Sequence, residues 1–310
     1  MKLITSVVLA AGALLLAAFA PTPGAKEAST PITWRSDLAA ATREARAAGK
    51  DVLVEFTTLD AASGAPKLDR LVYDDATFLR AAVGRFVPVR LTVRTGDSAQ
   101  PVDVSVVALA ERLAVSRVPS LVLMDAAGRP YAAVESDAES VDAQLSALDT
   151  AAGERIRRDR AFAGADKSAG PERAARLHDA LRHVGRFALA GYETSVAEIV
   201  SLDSDNALGL KEKYHGPLSE RRVDRAVQQT VYPLIDRADF AGAIAAIDQV
   251  LAAEAPPVAQ AQTLLAFKGQ LLYYAGKKDD ARRLLDQAAA MAPGTEGARR
   301  IAAAKEQFGE

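Results

Sequence analysis

Hydrophobic positions follow two rhythms along this chain, and the change between them falls near residue 150. Behind the candidate caps Ser36 and Asp37, Leu38, Ala41, Ala45 and Ala48 recur at helical spacing, and Gly49 ends the run. Val52-Leu53-Val54-Glu55-Phe56-Thr57 is an apolar run of strand length. A polar turn follows, and a helical pattern begins near Pro66. Leu68, Leu71 and Val72, then Phe78, Leu79, Ala82 and Val83, predict one helix and the start of another, the second capped by Asp74 or Asp75. Phe86 to Val93 alternates after Pro88 and predicts a strand, and residues 94–103 read as a polar loop. Val106 to Leu113 predicts a helix, and Ser120 to Met124 a strand with Tyr131 to Val134 as its partner across the Gly128 turn. Ala138 to Leu148 predicts a closing helix.

Beyond residue 151 no strand pattern remains. Gly170-Pro171 opens a helix with Ala174, Leu177, Leu181 and Val184 on one face. Tyr192 to Val200 predicts another, Ser201 to Asn206 caps a third, and Val223 to Ile235 is helical up to Asp239. Leu265, Gly269, Leu272, Gly276, Ala281, Leu285, Ala288 and Pro293 then follow the spacing of a helix-turn-helix repeat. Small residues stand where the helices touch, Gly276 sits in the turn and Pro293 stops the second helix. A weaker copy uses Val227, Leu234, Ala238, Ala243, Ile247 and Val250, with Pro256-Pro257 extending the connection. Residues 171–213 are expected to pack beside these as irregular neighbours.

The arrangement over the first half resembles the thioredoxin family, and its secreted thiol-disulfide interchange members in particular. There a Trp, a helix rich in Ala and basic residues, and a Gly-Lys entrance to the first central strand come in order, matched here by Trp34, Gly49, Lys50, Val52 and Leu53. The family's strand runs into a turn bearing two cysteines, and a cis proline faces that turn from the start of a later strand. The cysteine positions fall on Ala62 and Ala65, with Ser63 and Gly64 between them and the family's Trp replaced by Ala61; Val118-Pro119 matches the proline. The later repeat resembles the tetratricopeptide family. Leu202 to Asn206 with Gly209-Leu210-Lys211 resembles a segment in the helical tail of some exported thioredoxin-like proteins. The resemblance implies an α/β thioredoxin-like domain over 32–150, a mixed sheet flanked by helices. An all-α tetratricopeptide-like domain over 151–310 would follow, with repeats at about 224–255 and 262–295.

The 310-residue chain contains no cysteine. Thiol-disulfide exchange needs a thiolate that attacks sulfur, so the family's chemistry has no nucleophile here. Ser63 has no histidine near it in the first half of the chain and reads as a helix cap. Glu55 stands where the family places an acid beneath its thiols. Either it points inward as a buried acid with a raised pKa, or strand alternation leaves it at a partly wet end. The resemblance also implies that Val118 and Pro119, with Ala61 and Ala62, form a groove whose exposed backbone pairs with an extended peptide; the alternative is that Pro119 only shapes the fold. No phosphate loop, hydrolase motif or metal motif is present. His178 and His183 fall on different helix faces, and Asp203-x-Asp205-Asn206 reads as helix capping rather than a calcium loop. Glu154 to Arg160 reads as a solvated linker helix, with a docking face as the alternative. No catalytic residue, cofactor or metal is expected.

Charge is balanced, with 38 basic and 40 acidic residues and a net of −2, and no basic patch points to nucleic acid. Met1 to Ala20 reads as a secretory signal, cut after Ala20 or as late as residue 28, and residues 21–31 as a flexible linker. An uncleaved anchor is the alternative, although the apolar run is short for a span of ~20 residues. The chain is therefore expected in the periplasm or outside the cell, with no stable membrane insertion after cleavage. The leading expectation is a non-catalytic module that binds a protein or peptide. A folding helper using the Pro119 edge is the alternative, and an enzyme of unrelated chemistry a lesser one.

Overall fold

The computed structural model describes residues 32–58, 65–93, 103–135 and 140–307. The expected signal and linker, most of the expected 94–103 loop and the turn Ala61–Gly64 lie outside them. Helix α1 (Leu38–Ala48) is capped by the Asp37 carboxylate, which accepts hydrogen bonds from Ala39 N and Ala40 N, and it turns Ala41 and Ala45 inward. Strand β1 (Asp51–Thr57) is buried at every residue. Helix α2 (Ala65–Leu68) continues into a widened turn over Asp69–Tyr73. Helix α3 (Ala76–Arg85) is capped by Asp75 and leads into β2 (Phe86–Thr92). Helix α4 (Val104–Arg112), capped by Asp103, precedes β3 (Ser120–Met124) and β4 (Pro130–Glu135).

The four strands lie in the order β2-β1-β3-β4. β1 pairs with β2 in parallel and with β3 antiparallel, and β3 pairs antiparallel with β4. The sheet is mixed and flanked by helices, as the pattern predicts. A central strand covered on both faces has no wet side, which explains why β1 is a continuous apolar run.

The helical part begins earlier than the pattern suggests. α5 (Val141–Ala165) is one helix of 25 residues, not a closing helix ending at Leu148 followed by a solvated linker helix. Leu148 faces the core before residue 150, and Ala151 and Arg158, the latter only 1 % exposed, do so after it. Glycine, charged residues and alanine hide this continuity, because the helix buries few large apolar side chains. Helix α6 (Gly170–Arg182) is followed by the short α7 (Ala188–Gly191) and α8 (Glu193–Leu202). Asp203 accepts hydrogen bonds from Leu208 N, Leu210 N and Lys211 N, so it caps α9 (Leu210–Ala226) as a helix-capping carboxylate. One apolar core cluster runs from Ala41 in α1 to Leu218 in α9.

α9 leads through a widened turn, Val227–Val231, into α10 (Tyr232–Ile235). Pro233 lacks an N–H and its ring crowds the preceding turn; the Tyr232 N to Val227 O bond spans this wider turn and accommodates it. The third helix, expected behind the Ser201 to Asn206 caps, and the helix expected from Val223 are thus one continuous run from Leu210. Pro217 within α9 disguises the earlier turns. α11 (Phe240–Glu254), α12 (Val258–Tyr274), α13 (Lys278–Met291) and α14 (Glu296–Gln307) complete the chain. A second core cluster runs from Val223 to Leu271, and a third joins Leu285, Ala288 and Ile301. α12 packs on α13, and a Cβ at Gly269 would lie 2.8 Å from Leu285 Cδ2, so only glycine permits that approach. Among the described residues no helix is long and apolar enough to cross a membrane.

The sheet and helices are tied at the β3–β4 turn. Buried Asp125 accepts from Ala127 N, Arg129 N and Arg129 Nε, and pairs with Arg158 Nη2 at 3.1 Å. Arg158 Nη1 donates to the Tyr192 hydroxyl, which donates in turn to Pro130 O at 3.0 Å. Arg155 Nη1 reaches Asp51 Oδ2 at 2.6 Å, an oxygen that also accepts from the Tyr131 hydroxyl. At Gly191 a Cβ would lie 2.6 Å from Pro130 Cδ, so α7 can close on β4 only with glycine there. Replacing Arg158 by Met should lower stability by about 3 kcal/mol, because Asp125 keeps its burial and loses its deepest cation. Gly191→Ala should cost about 1–3 kcal/mol by crowding Pro130. Chemical denaturation of each variant checks both; wild-type stability in R158M would show that the tie contributes nothing.

Candidate functional site

Two features are candidates for function: the buried acid Glu55 on β1, and a cavity between α4 and the later helices. Glu55 has 0 % exposure. The wet strand-end reading fails because both faces of β1 are covered. The parallel register sets Glu55 opposite Arg90 on β2. Arg90 Nε donates to Glu55 Oε2, and its Nη2 donates to Asp69 Oδ1, each at 2.5 Å. The guanidinium carbon lies 4.3 Å from the centroid of the Trp34 ring, which itself meets Tyr73 edge-on at 5.1 Å. Arg90 is thereby held between a buried carboxylate, a half-exposed one and an aromatic face, which suits a planar guanidinium better than an ammonium.

Burial raises the Glu55 pKa above its ordinary 4.5, and the Arg90 charge and hydrogen bond hold that rise in check. Tyr73 is close enough to act on the carboxyl, although neither its hydroxyl nor Glu55 Oε1 completes a hydrogen bond of good geometry. Burial pushes Tyr73 well above its usual range, so the phenol stays neutral.

The positions Ala61, Ala62, Ser63 and Gly64 lie outside the described residues. Ala65 opens α2. Val118-Pro119 is a cis peptide and precedes β3 directly, with both residues half-buried. Ser120, the next residue, pairs with Phe56 on β1 and Glu135 on β4. No cysteine stands anywhere in the chain, so it supplies no thiol for disulfide exchange. The histidines serve separate contacts: His178 Nδ1 meets the Tyr214 hydroxyl, and His183 Nδ1 meets Glu154. Among the described residues no group of three or more ligating side chains could hold a metal.

The second feature was not legible in the sequence. A cavity of about 1170 Å³ is walled by Leu109 and Arg112 of α4, Arg225 of α9, Tyr232 of α10, and Thr263 and Phe267 of α12. Leu109 and Arg112 on α4, Arg221 and Arg225 on α9, and Thr263 and Phe267 on α12 stand three or four residues apart, so each of these helices presents one face. The Tyr232 and Phe267 rings meet edge-on at 6.1 Å. Helical periodicity alone marks such faces as core, and only the placement of α4 against the later helices leaves them open.

Because Glu55 binds its proton more tightly folded than unfolded, its ionisation should make stability fall as pH rises from 4.5 toward the raised value. Glu55→Gln should flatten that fall. Arg90→Met should destabilise by about 3 kcal/mol at neutral pH, where Glu55 would be a buried charge without its cation. The loss should shrink near pH 4, where Glu55 is protonated. Urea titrations across pH test this; an equal loss at both pH values would show that Arg90 acts through packing alone.

A search of curated proteins finds no match to this chain. Solved structures similar to it include an oxidoreductase described as DsbH, 19% identical, with 46% of this chain and 94% of that chain covered at a TM-score of 0.36. A thioredoxin from Thermus thermophilus is 18% identical, with 39% of this chain and 88% of that chain covered at a TM-score of 0.31. Residues 33–126 match a family model described as thioredoxin-like. The N-terminal part of this chain is therefore a thioredoxin-like domain, present without its cysteines and followed by a mainly helical region.

Proposed function

We propose that this protein is an exported, redox-inert interaction module that holds an extended segment of a partner protein between its thioredoxin-like domain and its helices. The observation that carries the reading is the cavity of about 1170 Å³, with α4 on one side and α9, α10 and α12 on the other. Its lining mixes aromatic, amide and charged side chains, the blend found where a peptide is held by its backbone and a few side chains. We read α10 to α13 as tetratricopeptide-like, with the groove on the face of the first helix of each pair. Export is inferred from the apolar start of the sequence. Loss of both thiols leaves the domain its shape and backbone polarity as means of recognition.

The folding-helper alternative would use the half-exposed Val118–Pro119 edge instead. Thr263 is exposed on the groove wall, so Thr263→Trp should fill the groove without disturbing the core. Crosslinking in the source cell should lose its partner with T263W, and recovery of the same partners would overturn the groove reading. Suppression of aggregation that survives T263W would favour the alternative. An insulin-reduction assay should show nothing above background with either form, since no thiolate is available; turnover would overturn the redox-inert reading.

A further inference from the structure

We infer that this groove holds a carboxylate-binding subsite for an acidic peptide segment, built jointly by Arg112 of α4 and by Arg221 and Arg225 of α9. The inference rests on the groove reading above and names the chemistry of its ligand.

Arg112 stands in the exposed last turn of α4 and lines the cavity together with Arg221 and Arg225. Arg225 Nη2 bonds both oxygens of Glu193, and Arg221 Nε lies 3.6 Å from Glu193 Oε1. One carboxylate therefore serves two guanidinium groups. Among the described residues Arg112 has no carboxylate partner, and the charges acting on it are Arg221, Arg225 and Glu193. Partial burial, and then the two neighbouring arginines, push its guanidinium below the ordinary value. Like charges brought together by two separate parts of the fold repel one another. A carboxylate arriving between them would relieve that repulsion and gain planar, bidentate hydrogen bonds.

Glu111 and Asp224 also line the cavity. They offset the arginines over the groove as a whole. A polyanion such as nucleic acid would meet these carboxylates along its length. A peptide with one acidic side chain at the three arginines and an apolar one against Tyr232 and Phe267 would not. The side-chain amides of Gln228 and Gln270 stand on the same walls and suit the backbone of an extended chain.

The test uses the full chain and two fluorescein-labelled, C-terminally amidated decapeptides, one alternating glutamate with leucine and the other glutamine with leucine, read by anisotropy at low ionic strength. The glutamate peptide should bind about tenfold more tightly or better, the scale of one charge-assisted contact. Added salt should erase that advantage, and so should Arg112→Gln, while Arg112→Lys should keep part of it. Among the described residues Arg112 makes no hydrogen bond or ion pair within the fold, so an unchanged melting temperature is expected for R112Q. Equal binding of the two peptides, or an unchanged ratio in R112Q, would overturn the carboxylate subsite while the groove reading stands, provided T263W still abolishes binding. Failure of both peptides to bind the wild-type chain would overturn the subsite and the groove reading together.

Discussion

A guanidinium at 1 % exposure cannot be left without anions, and Arg158 finds Asp125 and Asp159 around it. Its position on α5 makes this pair more than a local contact. Asp125 belongs to the turn that joins β3 to β4, and Tyr192, bonded to the same guanidinium, belongs to the approach to α8. The geometry of the helices relative to the sheet is thus written into hydrogen bonds with defined directions, which apolar contact alone does not supply. The proposed groove depends on this tie, because one of its walls is α4 and the others follow from α9 onward. Were the helices free to swing, Arg112 would have no fixed relation to Arg221 and Arg225.

The other ionic centre answers a different need. In the thioredoxin family the acid on this strand acts on the thiols above it; here Glu55 has no thiol to act on. A buried carboxylate without a task still carries its desolvation cost. Arg90, placed opposite by the parallel register, offsets that cost and turns a proton-exchanging group into half of an ion pair. The arrangement means that an acid at this strand position is not by itself a sign of redox chemistry.

Much of the sheet domain was legible in the sequence, because β1 and β3 are uninterrupted apolar runs and Asp37 and Asp75 are strong caps. The role of Glu55 was not, since alternation along one strand cannot tell whether both faces are covered. Arg90 carried a weak signal as the one charge in the Phe86–Thr92 run, but its partner depends on a register that no local pattern encodes. The unity of α5 was hidden for a related reason: its inward face uses Gln144, Ala151 and Arg158 where a sequence reader looks for leucine. The Arg112 cluster gave no signal at all, because residues from α4 and α9, more than a hundred positions apart in sequence, become neighbours only in the folded chain.

The absence of disulfides places the burden of stability on close packing, and the alanine content shows how the chain carries it. Ala41, Ala45, Ala174, Ala243, Ala281 and Ala288 are fully buried. Each adds little apolar area on its own, but small side chains bring helix backbones nearer, so that neighbours such as Leu285 fill the space against Gly269. Alanine also loses no side-chain entropy on folding. A core of this kind gains from many close contacts rather than from a few large aromatic ones. Exposed Tyr232 and half-buried Phe267, which also packs on the second core cluster, stand beside the cavity that α4 helps to close.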